Sequence, residues 1–323
     1  MSRHSNDRSV ETRRVAVFLL VAYGVAWATA ATIYVTGGLA DSPELLSGLG
    51  VTLAAVLLPT TYMFAPAVGS VVARHLTGEG WTDLWLRPRL RSSLGVYAAA
   101  WFGPVLLTLV GAVVYFAGFP ASFDPELATF AEAVRGATGG DVAVDPWTLV
   151  AVQLVSAVTI GPLVNTFFAF GEELGWRAYL LPKLLPLGTR RATLLVGLIW
   201  GVWHWPLVAM GYNYGFGYPG APWTGCLAMC WFTLTTGVFL AWVTLRSESV
   251  WPAAVGHGAI NAVAAIGALF VAGQPTPLLG PTPLGIVGGF GWTAAAAWLL
   301  WKSELFAGTP PSRDVAGDAT TAE

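Results

Sequence analysis

The sequence predicts an all-α fold, a polytopic membrane bundle of about eight transmembrane helices. Three observations predict it. Of 323 residues, 55% are hydrophobic and 11% charged, against about 25% charged in a soluble domain. Mean hydropathy is +0.63. The few charges gather in short blocks between long uncharged runs.

A helix needs about 20 predominantly apolar residues to cross the hydrocarbon core. Eight runs qualify: 15–35, 45–72, 94–119, 147–170, 192–212, 223–245, 250–272 and 283–301. The first follows a polar, basic stretch, 1–14. It exceeds the apolar core of a signal peptide, about 7–15 residues, so an uncleaved anchor is expected, although Ala28-Thr29-Ala30 faintly resembles a cleavage site. Nothing breaks the fourth before Pro182 and Pro186, so helix is expected to continue through 171–185. Pro59, Pro66, Pro104, Pro162 and Pro206 predict kinks, which membranes tolerate where neighbouring helices satisfy the freed backbone groups.

The placement of arginine is an independent check, because cytoplasmic loops carry an excess of Lys and Arg. Arg3, Arg8, Arg13 and Arg14 precede the first run, and Arg74, Arg87, Arg89 and Arg91 separate the second from the third. Arg177, Lys183, Arg190 and Arg191 lie between the fourth and fifth; Arg246 follows the sixth, and Lys302 and Arg313 follow the eighth. The opposite side holds only Arg135, amid Asp124, Glu126, Glu132, Asp141 and Asp145. Eight spans with both termini cytoplasmic reproduce this alternation.

The membrane domain is thus 15–301, between a cytoplasmic tail 1–14 and a second tail, 302–323, whose Pro/Thr/Ala/Asp composition predicts disorder. The stretch 76–90, with Trp81, Leu84, Trp85 and Leu86 beside arginines, is expected to lie in the interface as an amphipathic piece. The loop 120–146 is expected to hold a short helix near 125–134. Trp147, Trp223, Trp251 and Trp301 fall near span ends, as interfacial belt residues do. Cys226 and Cys230, four apart on one helix, stand about 5–6 Å apart at Cβ, too far for a disulfide, and read as packing residues. No basic patch interleaved with aromatics points to nucleic acid; the lipid bilayer is the expected partner. Arginine greatly outnumbers lysine, as in GC-rich genomes, so a prokaryotic cell membrane is the expected location.

Charged side chains within a bilayer cost at least about 2.5–3.5 kcal/mol each. Glu172 and Glu173 are the only acidic residues in a predicted membrane helix, and His204 and His257 are the only histidines there. Glu173 and Arg177 are i,i+4 and can pair on one face. Glu172 points about 100° away, into a different environment. Two carboxylates in separate environments can divide a structural role from a general-base role. His257 and Asn261, again i,i+4, would present an imidazole and a carboxamide together, a plausible oxyanion-stabilising pair. At 1.5 Å per residue, His257 lies about 10 Å from the cytoplasmic end of its helix, His204 about 18 Å and the glutamates about 18–20 Å. They can meet if their helices are neighbours.

These motifs resemble those of the CAAX-protease and bacteriocin-processing (CPBP, Abi) family of intramembrane endopeptidases, whose pattern is E-E-x-x-x-R, then F-x-x-x-H, then H-x-x-x-N on an eight-helix bundle. Glu172, Glu173 and Arg177 match the first, His204 the second and His257 with Asn261 the third, across roughly 147–272. Trp200 stands where the family usually has Phe. The resemblance implies an intramembrane peptidase in which Glu172 activates water with help from His204. It further implies that His257 and Asn261 hold the oxyanion while Glu173 and Arg177 shape the site. A membrane-associated peptide or protein substrate is implied, and cleavage of a prenylated Cys-a-a-X tail is the best-known family activity; a bacteriocin-type peptide or a membrane-anchored regulator stays equally open.

Zinc is the cofactor alternative, with Glu172, His204 and His257 as the donor set. The H-E-x-x-H spacing is absent and Asn261 is a poor zinc ligand, so the reading without a metal is preferred. Two functions from other classes compete: a non-proteolytic scaffold or bacteriocin-immunity-type protein, which a Glu172→Ala variant would still perform, and a proton-coupled transporter, which would show pH-gradient-dependent uptake and no peptide hydrolysis.

Overall fold

A computed structural model describes residues 9–46, 48–81, 83–140 and 144–307. Arg3, Arg8, Asp141, Arg313 and the tail from 308 lie outside the described residues. Among those described, the chain runs through α1 (Thr12–Val35), α2 (Leu53–Leu57), α3 (Ala65–Thr77), α4 (Leu94–Gly118), α5 (Ala128–Thr138), α6 (Pro146–Val158), α7 (Ile160–Gly175), α8 (Leu181–Leu184), α9 (Thr189–Trp203), α10 (Trp205–Ala209), α11 (Trp223–Ser247), α12 (Trp251–Val263), α13 (Phe290–Lys302) and α14 (Glu304–Ala307). One small hairpin pairs Glu44–Leu46 with Val51–Thr52.

The membrane bundle is present, with a lower count of full spans than the apolar runs suggest. Six helical stretches are long and apolar enough to cross, and the pair α6–α7, bent by 48°, makes a seventh. The eighth run is helical only over the 13 residues of α13, about 20 Å against a core about 30 Å thick. Pro281 and Pro283, with Gly280 at φ 120°, turn the preceding stretch into a loop. A side chain at Gly111 or Gly291 would collide with the backbone facing it, Gly288 or Leu107 respectively, so this loop and the start of α13 press directly on α4.

Two other expectations are corrected. The second run begins as the hairpin, because Gly48 and Gly50 take positive φ and turn the chain; helix starts only at Leu53, where the Thr52 hydroxyl accepts from the Ala55 N–H at 3.2 Å. The stretch 76–90 is irregular after Thr77 among its described residues; Leu84 is buried while Trp81 is exposed. Residues 304–307 are helical, with Phe306 buried, so order extends past the predicted boundary at 302. The short loop helix near 125–134 appears as α5, displaced by a few residues.

The prolines act as breakers more than as kinks. Pro59 sits in a π-helical turn, and Pro66, Pro162 and Pro206 lie in the first turn of α3, α7 and α10; only Pro104 sits inside an unbroken helix. Proline has no N–H to give the carbonyl four residues earlier. The Val158 carbonyl left free by Pro162 instead accepts from the Trp101 indole at 2.7 Å. At the α9–α10 break the Trp203 carbonyl accepts from Tyr62 at 2.5 Å and Trp27 at 3.2 Å. Helix does continue past 171, through a π turn at Trp176–Leu180 and then α8.

α11 is the central helix: 72% of its span is buried, against 33% for α1 or α4. It packs along α9, while α12 packs along α7 and α4, and α1 along α3. The ends predicted to share a membrane face do so. Lys183 in α8 pairs with Glu79 after α3 and, at 2.7 Å, with Glu11 before α1; Arg14 reaches Glu79 at 3.4 Å. Burial alone would raise the Glu79 carboxyl, but Lys183 and the hydroxyls of Tyr179 and Thr77 outweigh it and hold that carboxyl below the usual 4.5.

Candidate active site

Helices α7, α9 and α12 bring the predicted residues together, and small residues permit it. A side chain at Gly258 would stand 2.6 Å from the Thr166 nitrogen and 2.8 Å from the Pro162 carbonyl, so α12 approaches α7 backbone to backbone. A side chain at Gly201 would stand 2.7 Å from the Cys230 Cα, which sets α9 equally close to α11. The approach of α12 places His257 beside Glu173.

The two glutamates take separate partners. Glu173, fully buried, accepts at one oxygen, Oε1, from Arg177 Nη1 at 2.9 Å and pairs there with His257 Nδ1 at 2.8 Å. Glu172, 3% exposed, accepts at Oε2 from the Trp200 indole N–H at 2.6 Å. The carboxylates therefore face different sides of α7, as their 100° offset requires. The π turn that follows α7 carries Arg177, and such turns are frequent at functional sites.

His204 occupies the break between α9 and α10. Its N–H bonds the Gly201 carbonyl at 3.1 Å, one residue short of the α-helical partner. The Trp200 carbonyl is thereby released for the His204 ring, whose Nδ1 lies 2.8 Å away. With the proton on Nδ1, Nε2 carries the lone pair. Trp203 closes on the ring edge-to-face at 4.8 Å.

Asn261 lies one turn beyond His257 but is exposed, and its side chain makes no hydrogen bond among the described residues. The expected imidazole–carboxamide face thus runs from a buried end to an open one. Among the described residues, no group of three His, Cys, Asp or Glu side chains is spaced to hold a metal ion, so Glu172, His204 and His257 do not form a ready donor set. Tyr62 is a site residue that sequence reasoning misses: it is buried, its ring 4.2 Å from that of Trp203, and it carries no charge to betray it in an apolar run.

Residues 150–263 match the family described as type II CAAX prenyl endopeptidase Rce1-like. Every site residue named from the sequence lies within that stretch. Over this segment the chain is similar to the Rce1-like endopeptidases. A curated relative, CAAX prenyl protease 2 of Methanococcus maripaludis, is 31% identical over 93 residues, covering 28% of this chain and 34% of the relative. The chain therefore matches about a third of that relative's length.

Proposed function

We propose that the protein is an intramembrane, glutamate-dependent endopeptidase of the CAAX prenyl protease type. The observation that carries this reading is the division of labour between adjacent carboxylates: Glu173 is committed to Arg177 and His257, whereas Glu172, among the described residues, is held only at Oε2, by the Trp200 indole. In this reading a water lies between Glu172 and His204 Nε2. Glu172 takes its proton, and the hydroxide oxygen bonds to the peptide carbonyl carbon. The carbonyl becomes an oxyanion, which a ring N–H of His257 and the Asn261 carboxamide stabilise. The C–N bond then breaks, and the proton held by Glu172 passes to the leaving amine.

The family description and the relative's name support a membrane-associated peptide or protein substrate with a prenylated Cys-a-a-X tail. The arginine distribution supports a site opening toward the cytoplasm of a prokaryotic cell. Mass spectrometry of membrane peptides from cells carrying wild type or Glu172→Ala tests activity and substrate together. Cleavage products absent from the variant are expected; identical peptide profiles from cells with either protein would overturn the reading.

A further inference from the structure

The chemistry just described makes no use of Trp200, yet most of the site meets at this residue. Its indole N–H donates to Glu172 Oε2 at 2.6 Å. The Arg177 guanidinium stands 4.5 Å over its ring, and the His257 ring meets it edge-to-face at 5.1 Å. Its carbonyl takes the His204 Nδ1. The neighbouring buried indoles of Trp176 and Trp203 have no hydrogen-bond partner among the described residues. The Trp200 contact is therefore not something every buried tryptophan in this region acquires.

We propose that Trp200 is the positioning residue of the base. A carboxylate has two equivalent oxygens and can rotate; Glu172 has Arg177 on its own helix as a competing partner. An indole N–H is a donor that takes up no proton at working pH, so it can hold one oxygen without joining the proton transfer. With Oε2 held, Oε1 is the oxygen turned to the water. The main chain of the same residue holds the His204 ring at Nδ1, so one residue contacts both groups. Phenylalanine, usual at this position in the resembling family, fills similar space but has no donor. The contact stands on geometry alone; its catalytic consequence rests on the peptidase reading.

Trp200→Phe separates the two contributions, because it removes the indole donor and leaves the carbonyl. The test uses the full-length protein in nanodiscs, with ¹⁵N-labelled tryptophan and a farnesylated peptide ending in Cys-a-a-X as probe. Losing a charge-assisted hydrogen bond to the base should lower kcat about 10- to 100-fold, with KM within about two-fold of wild type. The Trp200 Nε1–H resonance, identified as the one missing from Trp200→Phe, should move upfield in Glu172→Gln and stay in place in Glu79→Gln. A kcat within about two-fold of wild type, or a resonance indifferent to Glu172→Gln, would overturn the proposal. If wild type leaves the probe peptide intact, the reading of activity and substrate fails, and the resonance by itself decides whether Trp200 holds Glu172.

Discussion

Two clusters of charge in this bundle differ chiefly in depth. At the membrane face, Lys183 bridges Glu79 and Glu11 while Arg14 also reaches Glu79; Glu11 and Arg14 are substantially exposed. Within the bundle, Arg177, Glu173 and His257 form a chain in which every member is at most 5% exposed. The chemistry of the two is alike. At the face, water screens the pairs that Glu11 and Arg14 make and can replace either of these exposed partners, so those contacts contribute little. In the interior nothing replaces a partner, and a broken pair leaves a buried, uncompensated charge. The outer cluster can therefore serve as a tether between α1, α3 and α8, whereas the inner one is placed to hold reactive groups in a fixed arrangement.

That contrast can be broken or sharpened by experiment. The largest effect is expected from Glu172→Gln, which should lower kcat by about 10²–10⁴-fold, the range of a positioned general base, with little change in melting temperature. A variant retaining wild-type turnover would remove Glu172 from the chemistry and favour the scaffold reading. Arg177→Leu should act on stability, costing about 3–5 kcal/mol because Glu173 is left charged and buried; an unchanged unfolding midpoint would mean that the inner cluster behaves like the outer one.

Glu79→Gln should lower the melting temperature by only about 2–4 °C at neutral pH. Its sign with pH follows from the lowered carboxyl of Glu79. A group held below its unfolded value adds stability above that value and loses it as pH falls through the folded one. The gap between wild type and variant should accordingly be full above about pH 4.5 and close at lower pH; a gap that widens on acidification would contradict the pairing. The smallest effect is expected from exhaustive chelation, which should leave turnover unchanged. Activity lost on chelation and restored by stoichiometric zinc would return Glu172, His204 and His257 to the role of metal ligands.

Much of this molecule was legible before folding was considered. Apolar length and the placement of basic residues such as Arg74, Lys183 and Arg246 predict a bundle and which helix ends share a side, because lipid constrains the chain locally. Glu172, Glu173, His204 and His257 stood out because ionisable groups in a bilayer are costly wherever they fall. The i,i+4 pairing of Glu173 with Arg177 is helix geometry and needed no partner helix. The shortened final helix was not legible, because apolar composition does not distinguish helix from a glycine- and proline-bent loop that packs on Gly111. Nor was the exposure of Asn261, which depends on where α12 leaves its neighbours.

What only the tertiary structure decided is which atom meets which. Residue type and helical spacing named the site's members from within single helices. That the Trp200 indole reaches Glu172, and that His257 reaches Glu173 rather than Glu172, depends on how closely α9 and α12 approach α7. Those approaches are set by absent side chains at Gly201 and Gly258 and by helix breaks at Thr159 and His204. Hydrogen bonds act over about 3 Å, a distance that spacing along one helix cannot determine between two.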